Sequence, residues 1–168
     1  MICEPEAQQH TGTAMSELAE MQRRIARDMA KCKELQYLEF VQYRAGAYFG
    51  PLLQRVQALL PIELEDDLEA HLSPEEFRDL LQLDLLIRGR PRYREEAPEV
   101  WLEVEISVVI DRRDVERALR RAGYRAIPTV TGERMTEGAE EEAEAHKVLM
   151  LLDGRPISWE EAPEGVLP

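Results

Sequence analysis

The chain has 168 residues, with 34 Asp+Glu against 21 Lys+Arg and a formal net charge of −13. That length suits one domain or one domain plus an extension, and 44% hydrophobic with 33% charged residues describes a folded chain and not a disordered one. So negative a total argues against a general polyanion binder, which grips phosphates with surplus Lys and Arg.

The basic residues are almost all arginine. Lys31, Lys33 and Lys147 are the only lysines, and none lies between residues 34 and 146. Arginine keeps its proton in a protein, so lysine-dependent chemistry is excluded from the middle of the chain. The charge is also unevenly placed: residues 1–60 are net 0, 61–100 net −7, 101–132 net +1 and 133–168 net −7. The two cysteines, Cys3 and Cys32, make neither a disulfide scaffold nor a zinc site. Cys32 reads as a small core residue. No apolar run approaches the ~18 residues of a membrane span, and the first residues lack a signal peptide's basic start and apolar centre. The expectation is a soluble cytoplasmic protein with no membrane partner.

In chain order, residues 1–14 read as a loose tail, with Met15 an alternative start. Ser16 is a good cap for a long helix, and Glu17 and Glu20 suit its first turn. Leu18, Met21, Ile25, Cys32 and Leu35 recur at 3–4 spacing, with Asp28 at one seam position, which is an imperfect coiled coil of about two and a half heptads. Residues 16–46 are thus the expected surface of a homo-oligomer, a dimer or higher. The competing reading is a helix packed on its own domain. Leu52–Leu60 reads as a short helix between prolines, followed by helices at Glu63–Ala70 and Pro74–Leu81. Ser73-Pro74-Glu75-Glu76 is a strong helix start.

The character changes near residue 83. Leu83–Ile87 and Val100–Ile110 read as two strands of an antiparallel hairpin, whose long tip takes Arg88 to Arg94 and the acids that follow. Asp111 caps a helix to about Ala122, Arg125–Val130 is a third strand, Thr136–Ala145 a helix, and Lys147–Leu152 a last strand. The crossover helix makes the third strand parallel to the second. The predicted class is α+β, close to α/β: a long N-terminal helix and a small mixed sheet flanked by helices. The expected organisation is a tail to residue 14, the helix over 15–46, a sheet domain over 47–155 and a loose acidic end over 156–168.

Strand side chains alternate, so Trp101, Glu103, Glu105 and Ser107 share one face of the second strand. Asp84 interrupts the apolar run Leu83-Asp84-Leu85-Leu86-Ile87. If the strands pair as a hairpin, Asp84 lies near Glu105, and two such carboxylates suit a hard divalent ion. The alternative is that these acids are solvated positions on a half-exposed sheet, and for Glu103 alone that reading is favoured. Two sets of arginines could grip phosphates: Arg88, Arg90, Arg92 and Arg94 in the hairpin, and Arg113, Arg117, Arg120 and Arg121 on the helix. Pairing with nearby acids on a solvated surface is the favoured alternative. His10, His71 and His146 have no ligand spacing.

The segments Leu83–Ile87, Trp101–Ser107 and Asp111–Ala118 resemble the core of the PD-(D/E)XK nuclease-like superfamily. Tyr43–Gly50, Ala122–Pro128 and Thr131-Gly132-Glu133 add a likeness to a group of uncharacterised prokaryotic proteins in which a coiled-coil helix precedes such a domain. The likeness covers about residues 15–155. It implies a restriction-endonuclease-like core and metal-dependent phosphodiester hydrolysis of DNA. It further implies Asp84, Glu105 and the backbone carbonyl of Ile106 as magnesium ligands, with manganese as a substitute. Arg88, Arg90, Arg113 and Arg117 are the candidates for contacts to DNA. The triplet departs from the pattern where its lysine belongs: Ser107 stands there, can donate a hydrogen bond, and brings no positive charge. The expectation is therefore a nuclease relative with weak or lost activity. The alternative is a catalytically silent coiled-coil scaffold that needs no metal.

Overall fold

The computed structural model describes residues 4–92, 94, 96–123 and 126–157, with side chains from residue 7 onward. Arg125, Cys3 and the expected acidic finish from residue 158 lie outside those residues. The chain divides into two units, Met1–Gln36 and Tyr37–Pro168.

The first unit is most of one helix, α1, spanning Glu4–Tyr43. It starts earlier than the Ser16 cap suggested, so residues 4–14 are helical and Ser16 lies inside the helix. Thr11 and Thr13 donate their hydroxyls to carbonyls four residues back, Ala7 and Gln9, at 2.8 and 2.9 Å. Those bonds satisfy the two hydroxyls within the helix itself. Cys32 is exposed, not a core residue.

In the second unit, α2 spans Ala45–Phe49, β1 Leu53–Leu59 and α3 Glu65–Glu69, the last preceded by a 3-10 turn at Pro61–Leu64. Next come α4 (Pro74–Leu80), β2 (Leu85–Pro91) and β3 (Val100–Ile106). Then β4 (Val109–Ile110), α5 (Arg112–Ala122), β5 (Ile127–Gly132), β6 (Arg134–Met135) and α6 (Glu137–Ala145) follow. The last strands are β7 (Leu149–Leu152) and β8 (Arg155–Pro156). The main sheet has the order β1-β2-β3-β5-β7-β8. β2 pairs antiparallel with both β1 and β3, whereas β3, β5 and β7 run parallel. The fold is mixed α+β, a long helix and a mixed sheet flanked by helices.

The expected helix at Leu52–Leu60 is a strand instead, and the reason is local. Leu53 and Val56 are three apart, a helical spacing that a regular strand would send to opposite faces. A bulge between Gln54 and Gln57 inserts one extra residue opposite β2, so Leu53 and Val56 reach the same core. Arg55 takes the extra position at φ 55°. A second difference concerns the hairpin. β2 runs on to Pro91, so Arg88, Gly89 and Arg90 are strand and not hairpin tip. The third is at Ser107. β3 stops at Ile106, and residues 109–110 leave the main sheet to pair with Arg134–Met135. Gly132 permits this crowding: a Cβ there would collide with the Ser107 carbonyl and the Ile110 side chain.

The starts of α4, α5 and α6 follow the sequence signals. Asp111 Oδ1 accepts from Asp114 N at 3.0 Å while Asp114 Oδ2 accepts from Asp111 N at 2.9 Å, so two otherwise unpaired amides are satisfied together. Ser73 with Glu76 does equivalent work for α4, and at α6 Thr136 Oγ1 accepts from Ala139 N at 3.2 Å.

The sheet has a core on each face. On one, Leu102, Val104 and Ile106 of β3 pack with Leu85, Ile87, Ile127, Leu149, Leu151 and the Val41–Leu53 segment. On the other, Val130 and Met150 pack with Val115, Ala118, Ala139 and Ala143 of α5 and α6. The odd-numbered residues of β3 point to this second face, under α5.

Candidate functional site: carboxylates on β3 under the arginines of α5

The register places the acids. Leu85 pairs with Val104 and Leu86 with Glu103, so Asp84, one residue before β2, is level with Glu105. The structure brings the two together as the sequence suggested. Asp84 is also engaged by the backbone of β3. Its Oδ2 accepts from the backbone N–H of Ile106 at 2.8 Å. Burial pushes its carboxyl up to about 6, with the Glu105 charge adding to the shift and the Ile106 hydrogen bond opposing it.

Glu105 is almost fully buried, at 2% exposure, and is held from two directions. Arg121 Nη1 donates to its Oε1 at 2.5 Å and Arg117 Nε to its Oε2 at 3.4 Å. Arg117 also pairs with Asp114, and Arg121 Nη1 donates to the Gln82 carbonyl at 3.1 Å. Asp114 is shifted up by burial, with its neighbour Arg117 opposing. Asp114, Arg117, Glu105 and Arg121 thus form one chain of alternating charge between α5 and β3. A buried carboxylate is tolerated because it is paired and hydrogen-bonded.

Glu103 departs from its expected solvated position: it is 1% exposed. Among the described residues no donor reaches either of its carboxyl oxygens. Its polar neighbour is Glu105, two residues along the same face. Burial raises its pKa strongly, and the adjacent Glu105 carboxylate raises it further. A proton held on Glu103 settles both features, since the protonated carboxyl becomes a donor toward Glu105 and carries no charge.

Ser107 follows the end of β3. Its backbone N–H donates to Thr131 O at 3.0 Å and its hydroxyl to Val109 O at 3.1 Å. The hydroxyl therefore stabilises the turn into β4.

The arginines fall into two groups. Arg117 and Arg121 turn inward to Glu105, whereas Arg113 and Arg120 are exposed. In the hairpin, Arg88 donates to Gln57 Oε1 at 2.9 Å, lies 3.5 Å from Glu99 and stacks 5.4 Å from the Trp101 ring centroid. Arg92 donates to Gly50 O at 2.8 Å, and Arg90 is exposed. In sequence Arg121, the shortest partner of Glu105, groups with the other arginines of the helix. The available signal was its spacing from Ala118 and Arg117, which puts it on the inward edge of α5.

The donor set does not fit magnesium. Both Glu105 oxygens face arginines, one Asp84 oxygen accepts from a backbone amide, and burial disfavours a charge on Glu103. Among the described residues no group of three His, Cys, Asp or Glu side chains could hold a metal ion. No helix of the described residues is long and apolar enough to cross a membrane. Comparison with family models, with curated proteins and with solved structures finds no match for the chain.

One consequence can be measured at Asp84. Asp84→Asn keeps an acceptor for Ile106 N–H and should leave stability within about 1 kcal/mol at pH 7. Asp84→Ala strands that amide and should cost about 1–3 kcal/mol in urea denaturation. Equal losses in the two variants would refute the hydrogen-bonding role.

Proposed function

We propose that the second unit is a nuclease-like domain of the PD-(D/E)XK kind that has lost its phosphodiester chemistry, and that the chain works as an assembly module through its helix. The architecture supports the likeness. Three antiparallel strands are followed by a crossover helix and a strand parallel to the third. Asp84 stands at the start of β2, and Glu105-Ile106-Ser107 spans the end of β3.

The observation that carries the loss of chemistry is the arginine clamp on Glu105. Metal-assisted hydrolysis needs carboxylates whose charge is available to the ion and an open position for water. Here the charge of Glu105 is matched by Arg117 and Arg121. The place of the lysine is taken by a serine whose hydroxyl is engaged with Val109 O. The clamp converts a site for a cation into a tie between a strand and a helix. The same arginines are thereby withdrawn from contact with a phosphate backbone.

The test is direct. The purified chain is incubated with single- and double-stranded DNA and with RNA, in magnesium and in manganese, and titrated with each metal by calorimetry. The expected result is no cleavage above the blank and no saturable binding at millimolar metal. Cleavage that disappears in Asp84→Ala and Glu105→Ala would overturn the proposal.

A further inference from the structure

The stretch of α1 within the first unit carries an exposed apolar face. Met15, Leu18, Met21, Ile25, Met29 and Leu35 are 55–68% exposed, and Cys32 is exposed with them. At 3.6 residues per turn these seven side chains fall within roughly 160° of the helix circumference. A continuous apolar stripe of this kind marks a contact surface.

Its spacing has a symmetry. Around Ile25, Met21 mirrors Met29 at four residues either side. Leu18 mirrors Cys32 at seven, and Met15 mirrors Leu35 at ten. A stripe that reads the same in both directions matches itself when a second helix lies against it head to tail. The charges choose between the two possible directions. One flank of the stripe carries Glu17, Arg24, Asp28 and Lys31, whereas the other carries Ala19, Gln22, Ala26 and Lys33. The twofold axis relating antiparallel helices brings like flanks together. It sets Glu17 beside Lys31 of the second copy and Arg24 beside Asp28 of the second copy, each twice. A parallel pair brings unlike flanks together and faces the charged flank with alanine, glutamine and a single lysine.

We propose that the occupant of this face is a second copy of the chain, in an antiparallel two-helix coil centred on Ile25. Seven apolar side chains from each copy cover on the order of 1,000 Å2, near the lower limit for a specific interface. The two points where α1 passes into the second unit are then separated by about 33 Å along the coil axis. A parallel coil would bring them level. The inference rests on the assembly role proposed above and adds direction and register to it.

Cysteine cross-linking decides the direction. In the antiparallel coil, Cys32 lies opposite Leu18 of the second copy. The two Cys32 residues are about 21 Å apart along the axis, too far to bridge. In a parallel coil they face each other. In a Cys3→Ser background, mild oxidation is expected to leave the chain uncross-linked. Adding Leu18→Cys should give a covalent dimer. Sedimentation should show a dimer before oxidation and a monomer for Ile25→Asp, with the tryptophan fluorescence of the sheet unit unchanged. A Cys32–Cys32 cross-link in the Cys3→Ser chain would overturn the direction while leaving assembly intact. A monomeric Cys3→Ser chain would overturn both, and a dimeric Ile25→Asp chain would overturn the surface. None of these outcomes depends on whether the sheet unit cleaves nucleic acid.

Discussion

Glu103→Gln is expected to make the protein more stable, by a margin that grows as pH rises. In the folded chain Glu103 is buried beside Glu105 and keeps its proton, because burial and the neighbouring carboxylate both oppose its charge. In the unfolded chain it ionises with a pKa of about 4.5. Above that pH the folded state therefore binds one more proton than the unfolded state. By linkage its stability falls by about 1.4 kcal/mol for each pH unit until the folded group itself ionises. The contribution is fully present below the unfolded pKa and is lost as pH rises. Between pH 4.5 and 7 the loss is about 3 kcal/mol. Glutamine has no proton to hold, and its amide still donates toward Glu105. Asp84, raised to about 6, gives a similar slope over a lower window in both proteins, so the difference between the curves isolates Glu103. Urea denaturation of the two proteins at pH 5, 6, 7 and 8 measures it. Parallel curves would show that Glu103 is ionised in the folded chain.

Arg121→Met is expected to be the most damaging single change at the site. The Arg121 side chain is 9% exposed and Glu105 is 2% exposed. Without Arg121, Glu105 retains Arg117 at 3.4 Å, but that side chain is 40% exposed and shared with Asp114. Removing one partner of a buried pair leaves an uncompensated charge, at a cost of about 3 kcal/mol. The double variant Arg121→Met with Glu105→Met should recover most of the loss, because nothing charged is left buried. Arg121→Lys should recover only part: an ammonium can stand in for Nη1, which donates to both the Gln82 carbonyl and Glu105, but not for Nη2 beside Gln82 Oε1. A double-mutant cycle gives the coupling, and a value near zero would mean that the pair contributes nothing.

These two effects lie where the sequence was only partly legible. Local signals gave the pairing of β2 with β3, the level placement of Asp84 and Glu105, the Asp111 cap of α5 and the parallel sense of β5. Each rests on alternation, capping chemistry or the handedness of a crossover. The strand at Leu53–Leu59 was hidden because a bulge gives it a helical spacing, and bulges are set by the partner strand. The burial of Glu103 and the inward turn of Arg117 and Arg121 were hidden for a related reason. Charged residues on one strand and one helix read as solvated until the helix is laid over the strand. The helix from Glu4 has no capping signal among the described residues, so residues 4–14 read as a tail.

The bulge in β1 has a further consequence, for how the sheet meets other chains. A sheet ends in two rows of unpaired amides and carbonyls, a template on which any extended segment can add. At one border β1 is bent by its extra residue, with Arg55 in a left-handed conformation and exposed glutamines at 54 and 57. At the other, β8 is two residues long and ends in Pro156, which has no amide to offer. Neither border is a regular ladder awaiting a partner strand, so the sheet is guarded against growing into a fibre by its own irregularities.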